Sequence, residues 1–165
     1  MSGLPREQFF TPSLLDRLCD KEPKNPNETQ RERVQRIADL KESVKNDLQD
    51  LLNTRIPFPF PPDRFRQIRK SILNYGIPDL NRVSVDSTRS IEALRKDIED
   101  AIRTYETRFV SIHVELDREG MSHLSRTIEF RIEGELHAEP DPEMVVYSSR
   151  MHASTRRFEV KDSSE

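Results

Sequence analysis

Tyr105-Glu106-Thr107-Arg108-Phe109 marks the point where one hydrophobic period gives way to another. Before it, Ile91, Leu94, Ile98, Ala101, Ile102 and Tyr105 recur at helical spacing. After it, Val110, Ile112, Val114 and Leu116 alternate with Ser111, His113 and Glu115. Apolar residues three and four apart line one face of a helix, whereas strict alternation buries one face of a strand. The stretch therefore predicts a charged helix running into a β-strand with no loop between them. An acid in the last turn of a helix opposes the macrodipole, so Glu106 needs a cationic neighbour. Arg108 can be that neighbour, or the two can face a partner together.

Downstream, Ile128, Phe130, Ile132, Gly134, Leu136 and Ala138 alternate with Thr127, Glu129, Arg131, Glu133, Glu135 and His137. One wet and one buried face is the antiparallel pattern. The segment 118–125, with Gly120, reads as the hairpin loop. Pro140-Asp141-Pro142 turns the chain into a strand over 144–148, and a last strand carries Phe158 and Val160.

Upstream, the helix before the junction starts between Asp86 and Ser90. It carries Glu92/Lys96 and Glu99/Arg103 at the favourable four-residue spacing. A longer helix opens at the Thr29/Glu32 capping box. Its seam is Val34, Ile37, Leu40, Val44, Leu48, Leu51 and Leu52, and it ends at Asn53-Thr54-Arg55 before Pro57. Leu14, Leu15 and Leu18 suggest a short first helix, followed by a proline-punctuated linker over 20–28. The expected class is α+β: N-terminal helices on one face of an antiparallel β-meander of about four strands. The expected divisions are an extension over 1–28, an α+β domain over 29–160 and a polar tail over 161–165.

Two segments between the long helices read differently. Ile56-Pro57-Phe58-Pro59-Phe60-Pro61-Pro62 is incompatible with helix and suits polyproline II. It is either a ligand for an aromatic groove or a stiff connector whose phenylalanines pack on its own domain. Phe65, Ile68 and Ile72 predict a short helix with Arg64, Arg66, Arg69 and Lys70 on its solvent side. Without interleaved exposed aromatics, that cluster suits solvent or a protein surface better than phosphates. Asn74-Tyr75-Gly76 then stops the helix.

Composition narrows the function classes. Hydrophobic residues are 33% and charged residues 35%, so the core is modest and the surface is heavily charged. A net charge of −3 gives no broad nucleic-acid footprint. The lone cysteine, Cys19, excludes an internal disulfide and fits a reducing compartment; its apolar-periodic setting suits packing rather than reactivity. No apolar run reaches the length that spans a bilayer, and no signal peptide opens the chain, so a soluble, cytoplasmic protein without membrane insertion is expected.

Catalytic chemistry has little to build on. There is no glycine-rich phosphate loop, no cysteine cluster and no His-Glu-x-x-His spacing. His113 and His137 on neighbouring strands would make half a zinc site at most, and solvated sheet histidines are the simpler reading. A glycosidase needs two facing carboxylates of unequal pKa. Glu106, Asp117 and Glu119 lie near one end of the first strand, but among 30 acids their proximity distinguishes none of them. No catalytic, cofactor or metal residue is nominated.

Four motifs carry a resemblance to a known family. Ser13-Leu14-Leu15-Asp16-Arg17-Leu18 resembles the start of the TssE family of type VI secretion baseplate subunits. So does the stretch from Ser43 to Arg55, which includes Asp47, Leu51, Asn53 and Arg55. Ser71 to Leu80, with Asn74, Gly76 and Asp79, is similar to the family's middle motif. Leu94, Arg95, Ile98, Ile102 and the Glu106/Arg108 pair resemble the helix-to-strand core shared with contractile-phage baseplate wedge proteins.

The resemblance implies a non-enzymatic structural part. Its implied partners are TssF, TssG and TssK in the wedge and the sheath proteins TssB/TssC, at the cytoplasmic face of the inner membrane. It also implies an assembly role for Tyr105, Glu106, Thr107 and Arg108, and a sheet edge on which the first sheath ring builds. The family's corner reads Glu-Pro-Arg, and Thr107 stands where proline is expected, which leaves the sharpness of the corner open. The competing classes are a peptidoglycan-cleaving, lysozyme-like enzyme and a generic adaptor binding through the Pro-Phe strip.

Overall fold

A computed structural model describes residues 18, 37–57, 65–80, 87–122, 127–138 and 142–163. Most of the N-terminal extension, the capping box and Val34, most of the Pro-Phe strip and the end of the tail lie outside the described residues. Among the described residues, the helices α1 (Ile37–Asn53), α2 (Arg66–Arg69) and α3 (Thr88–Tyr105) and a 3-10 turn at Ile72–Asn74 precede four strands. The strands are β1 (Phe109–Ser122), β2 (Thr127–Leu136), β3 (Glu143–His152) and β4 (Phe158–Asp162). They form one antiparallel sheet in the order β1-β2-β3-β4. The expected α+β arrangement is the one found.

The two long helices share one face of the sheet, α1 over β4 and α3 over β1. Leu40, Val44, Leu48, Leu51 and Leu52 from α1 are buried with Ile91, Leu94, Ile98, Ala101 and Ile102 from α3. They meet Ile128, Phe130, Ile132 and Leu136 of β2 and Val145 and Tyr147 of β3 in one cluster. Each fully buried leucine or isoleucine stabilises the fold by roughly 1.5–3 kcal/mol, so this seam holds the helices to the sheet. Ser87 caps α3, its hydroxyl accepting from the Ser90 N–H at 3.3 Å.

Three details depart from simple alternation. Val110, expected on the buried face, is 61% exposed, because a register shift lies between Phe109 and Ser111. Phe109 packs over Gly134 instead, where a Cβ would stand 2.5 Å from its ring. Thr127 and Glu129, expected on the wet face, are buried, and Arg150 of β3 ion-pairs with Glu129. β4 also continues past Val160: Lys161 and Asp162 pair with β3, and the Ser163 N–H donates to the Val146 carbonyl at 2.8 Å.

The chain after α1 is pinned by a short parallel bridge between Arg55 and Ile77. The Ile77 N–H donates to the Thr54 carbonyl and the Ile56 N–H to the Ile77 carbonyl. Gly76 makes the approach possible: its φ is +113°, and a Cβ there would stand 2.5 Å from the Thr54 carbonyl oxygen.

Candidate functional site

α3 ends at Tyr105, and Glu106 leaves helical geometry at once, with φ −100° and ψ 89°. Its N–H still donates to the Ile102 carbonyl at 2.8 Å, closing the last turn. Phe109 begins β1 only three residues later. The corner is therefore sharp with threonine at 107, because the residue that proline would push out of the helix is already out.

The Glu106/Arg108 pair turns inward. The Arg108 guanidinium donates through Nε to Glu106 Oε1 at 2.8 Å, and a second nitrogen reaches Glu106 Oε2 and Asp47 Oδ2. Its third nitrogen donates to Ser43 Oγ at 3.0 Å. The Arg108 N–H adds a 3.1 Å bond to Glu106 Oε1, and the Arg108 carbonyl accepts from the His137 N–H at 2.8 Å. One side chain thus ties α1, the end of α3 and the start of β1 together, while its backbone holds the end of β2.

The electrostatics follow from burial. Side-chain exposure is 15% for Arg108, 8% for Glu106 and 40% for Asp47. Burial alone would lower the Arg108 pKa, but Glu106 and Asp47 carry it above the ordinary arginine value. A planar fork suits this role better than an ammonium, since it engages both carboxylates and the serine at fixed angles. Among the alternatives open in the sequence, the geometry is that of an internal clamp. Thr107 is exposed beside it.

Tyr105 faces another way. Its hydroxyl donates toward the Arg69 and Ser71 carbonyls at 3.2 and 3.1 Å, and its ring meets Tyr75 edge-on at 5.2 Å. Burial pushes its phenol pKa up.

The family-motif residues separate into four settings. Asp47 belongs to the clamp, and Leu51 is core. Asn74 is buried, its Nδ2 donating to the Arg69 carbonyl at 3.2 Å. Asn53, Arg55, Gly76 and Asp79 gather at the far end of α1. There Asn53 Oδ1 accepts from the Phe158 N–H and Nδ2 donates to the Phe158 carbonyl, both at 3.0 Å. Arg55 donates to the Leu52 and Arg156 carbonyls at 2.7 and 2.6 Å. Burial lowers its pKa, and Asp79 partly offsets that. Asn53, Arg55 and Asp79 line a polar cleft of about 660 Å³ with Arg156, Arg157 and Glu159.

Sequence reasoning missed how the sheet edges are treated. At β4 three outward-facing backbone groups are taken up by α1: Asn53 holds both groups of Phe158, and the Val160 N–H donates to Gln49 Oε1 at 3.4 Å. At β1 the Val114 carbonyl accepts from Arg95 at 3.0 Å, and its N–H bonds Glu99. Because outward-facing groups alternate along an antiparallel edge strand, Ile112 and Leu116 share the outward orientation of Val114. The Glu99–Arg103 pair is present, whereas Glu92 pairs with Arg95 rather than Lys96. The only sequence signal for the Val114 clamp was the spacing of Arg95 and Glu99, which reads equally as an ordinary surface pair.

His113 and His137 are not cross-strand neighbours; His113 stands opposite Glu133. Among the described residues no group of three or more His, Cys, Asp or Glu is placed to hold a metal ion. Among them, too, no helix is long and apolar enough to cross a membrane.

No curated protein matches the chain. The family model described as baseplate wedge protein gp25 matches residues 38–141. That span contains all of α1 but its first residue, the whole Arg108 clamp, α3 and the β1–β2 hairpin. On that match the chain belongs to the baseplate wedge protein gp25 family, a family of baseplate structural proteins that work in contact with other baseplate components.

Proposed function

We propose that this chain is a non-enzymatic structural subunit of a type VI secretion baseplate wedge, and that it helps to dock and initiate the contractile sheath. The observation that carries the reading is the Arg108 clamp, which fixes the first residues of an edge strand against two helices. Glu106 and Arg108 act here by holding β1 at a set angle, with Thr107 exposed at the turn as a contact residue. β1 is the better of the two edges for an incoming strand, since α1 side chains hold two residues of the five-residue β4, Phe158 and Val160, whereas the α3 contacts on the much longer β1 are at Val114. TssF, TssG and TssK are the proposed wedge neighbours, and TssB/TssC the proposed occupants of the β1 edge. In the assembled machine the chain sits at the cytoplasmic face of the inner membrane.

The engagement of both Glu106 oxygens by Arg108 also favours a structural over a catalytic use of that acid. Co-expression with TssF, TssG and TssK, followed by size-exclusion chromatography and imaging, tests the reading. It expects the chain in one complex with the others. Assembly of those three with the chain eluting alone overturns the wedge assignment. Turnover of peptidoglycan by the purified chain, abolished by removing one acid, overturns the non-enzymatic part.

A further inference from the structure

The segment that Tyr105 holds carries apolar side chains the core does not use. Phe65, Ile68, Ile72 and Leu73 are 41, 37, 85 and 62% exposed. Single exposed apolar residues are ordinary, but a cluster on one short segment marks an interaction surface. A helix as short as α2 does not persist by itself. This one is fixed by tertiary contacts, Tyr105 Oη to the Arg69 and Ser71 carbonyls and the Tyr75 ring against Tyr105, and by a local bond from Asn74 Nδ2 to the Arg69 carbonyl. The backbone is thus anchored inward while the apolar side chains stand outward.

The charge on the segment is one-sided. Arg66, Arg69 and Lys70 lie within it and no acid occurs from Phe65 to Tyr75, although the whole chain carries a net charge of −3. Arg69 and Lys70 are exposed beside the apolar residues. We propose that residues 65–73 form a docking surface for an acidic, apolar segment of a partner protein, and that Tyr105 positions this surface. Apolar anchors flanked by cations fit an amphipathic segment whose flanks are glutamate or aspartate. An anionic membrane shares the charge, but an apolar face split between a single helical turn and a 3-10 turn is shorter than the amphipathic helices that lie in lipid. The surface uses none of the β1 edge residues, so it stands or falls separately from sheath docking.

The test uses the full chain and a fluorescent helical peptide with leucines at i, i+3, i+4 and i+7 flanked by glutamates. A second peptide with lysines in place of the glutamates, phosphatidylserine vesicles, and sedimentation of the chain alone are the other arms. Salt-sensitive binding of the glutamate peptide is expected, weakened at least about tenfold by Ile72→Asp or Leu73→Asp, a loss typical of an interface anchor. Both positions are exposed, so circular dichroism should not change. Tyr105→Phe keeps the ring but loses the two carbonyl contacts; it should weaken binding and speed amide exchange at Lys70 and Ser71. Equal binding of the lysine peptide, or affinity unchanged in the aspartate variants, overturns the proposal. Vesicle binding without peptide binding assigns the surface to lipid instead, and self-association lost in Ile72→Asp assigns it to a second copy; either result also overturns it.

Discussion

Arg108 is the residue on which the fold and the proposed function converge. It is a partly buried cation with two carboxylate partners and a serine, so its removal leaves the buried Glu106 without a counter-charge. Breaking a buried pair from one side typically destabilises by about 3–5 kcal/mol. Arg108→Ala should lower stability by about that amount in urea unfolding, whereas Asp47→Ala, at a position 40% exposed, should cost about 1 kcal/mol or less. Equal losses would mean that Glu106 is not the principal partner. Thr107 gives the opposite expectation. Since Glu106 already lies outside helical geometry, Thr107→Pro meets no preceding helical residue to displace and should stabilise by up to about 1 kcal/mol through the unfolded chain. A lower urea midpoint in that variant would show that the Thr107 N–H has a structural use.

Sheet edges decide what the elements can do. α1 and α3 each contribute side chains that close part of an edge, Asn53 and Gln49 on β4, Arg95 and Glu99 on β1. For Glu99, burial alone would raise the carboxyl pKa, but bonds from Arg103, Arg95 and the Val114 N–H bring it below its ordinary value. A carboxyl depressed in the folded state contributes stability that is full above its unfolded pKa of about 4.3 and is lost as pH falls through the lower folded value. Urea midpoints across the acid range should therefore fall less steeply in Glu99→Gln than in the parent chain. An unchanged acid slope would remove Glu99 from the β1 clamp. These contacts were not legible in the sequence, because periodicity reports which face of an element is wet and not which distant backbone its polar side chains reach. Asn53 and Phe158 lie 105 residues apart. Asp47 was visible only through a family motif, with nothing in its spacing to place it beside Arg108.

For the molecule as a whole, the change of period at 105–109 located the step from helix to sheet, and together with the alternation over 127–138 and the later short strands it gave the class, the meander and the helix-covered face. It was legible because both periods are clean on either side of the junction. Val110 and Phe109 exchanged roles because a bulge is invisible to alternation, and that exchange leaves Val110 exposed on an edge strand with no cross-strand Cα partner. The central claim is that the clamped β1 edge starts the sheath. Val110→Pro tests it, since proline there loses no paired ladder position yet blunts the edge against an incoming strand. The measurement is electron microscopy of TssB/TssC sheaths growing from purified baseplates that contain either the parent chain or Val110→Pro, with incorporation checked on the same particles. Sheaths on the parent baseplates and bare baseplates with the variant are predicted; sheaths of equal number and length on both would contradict the account.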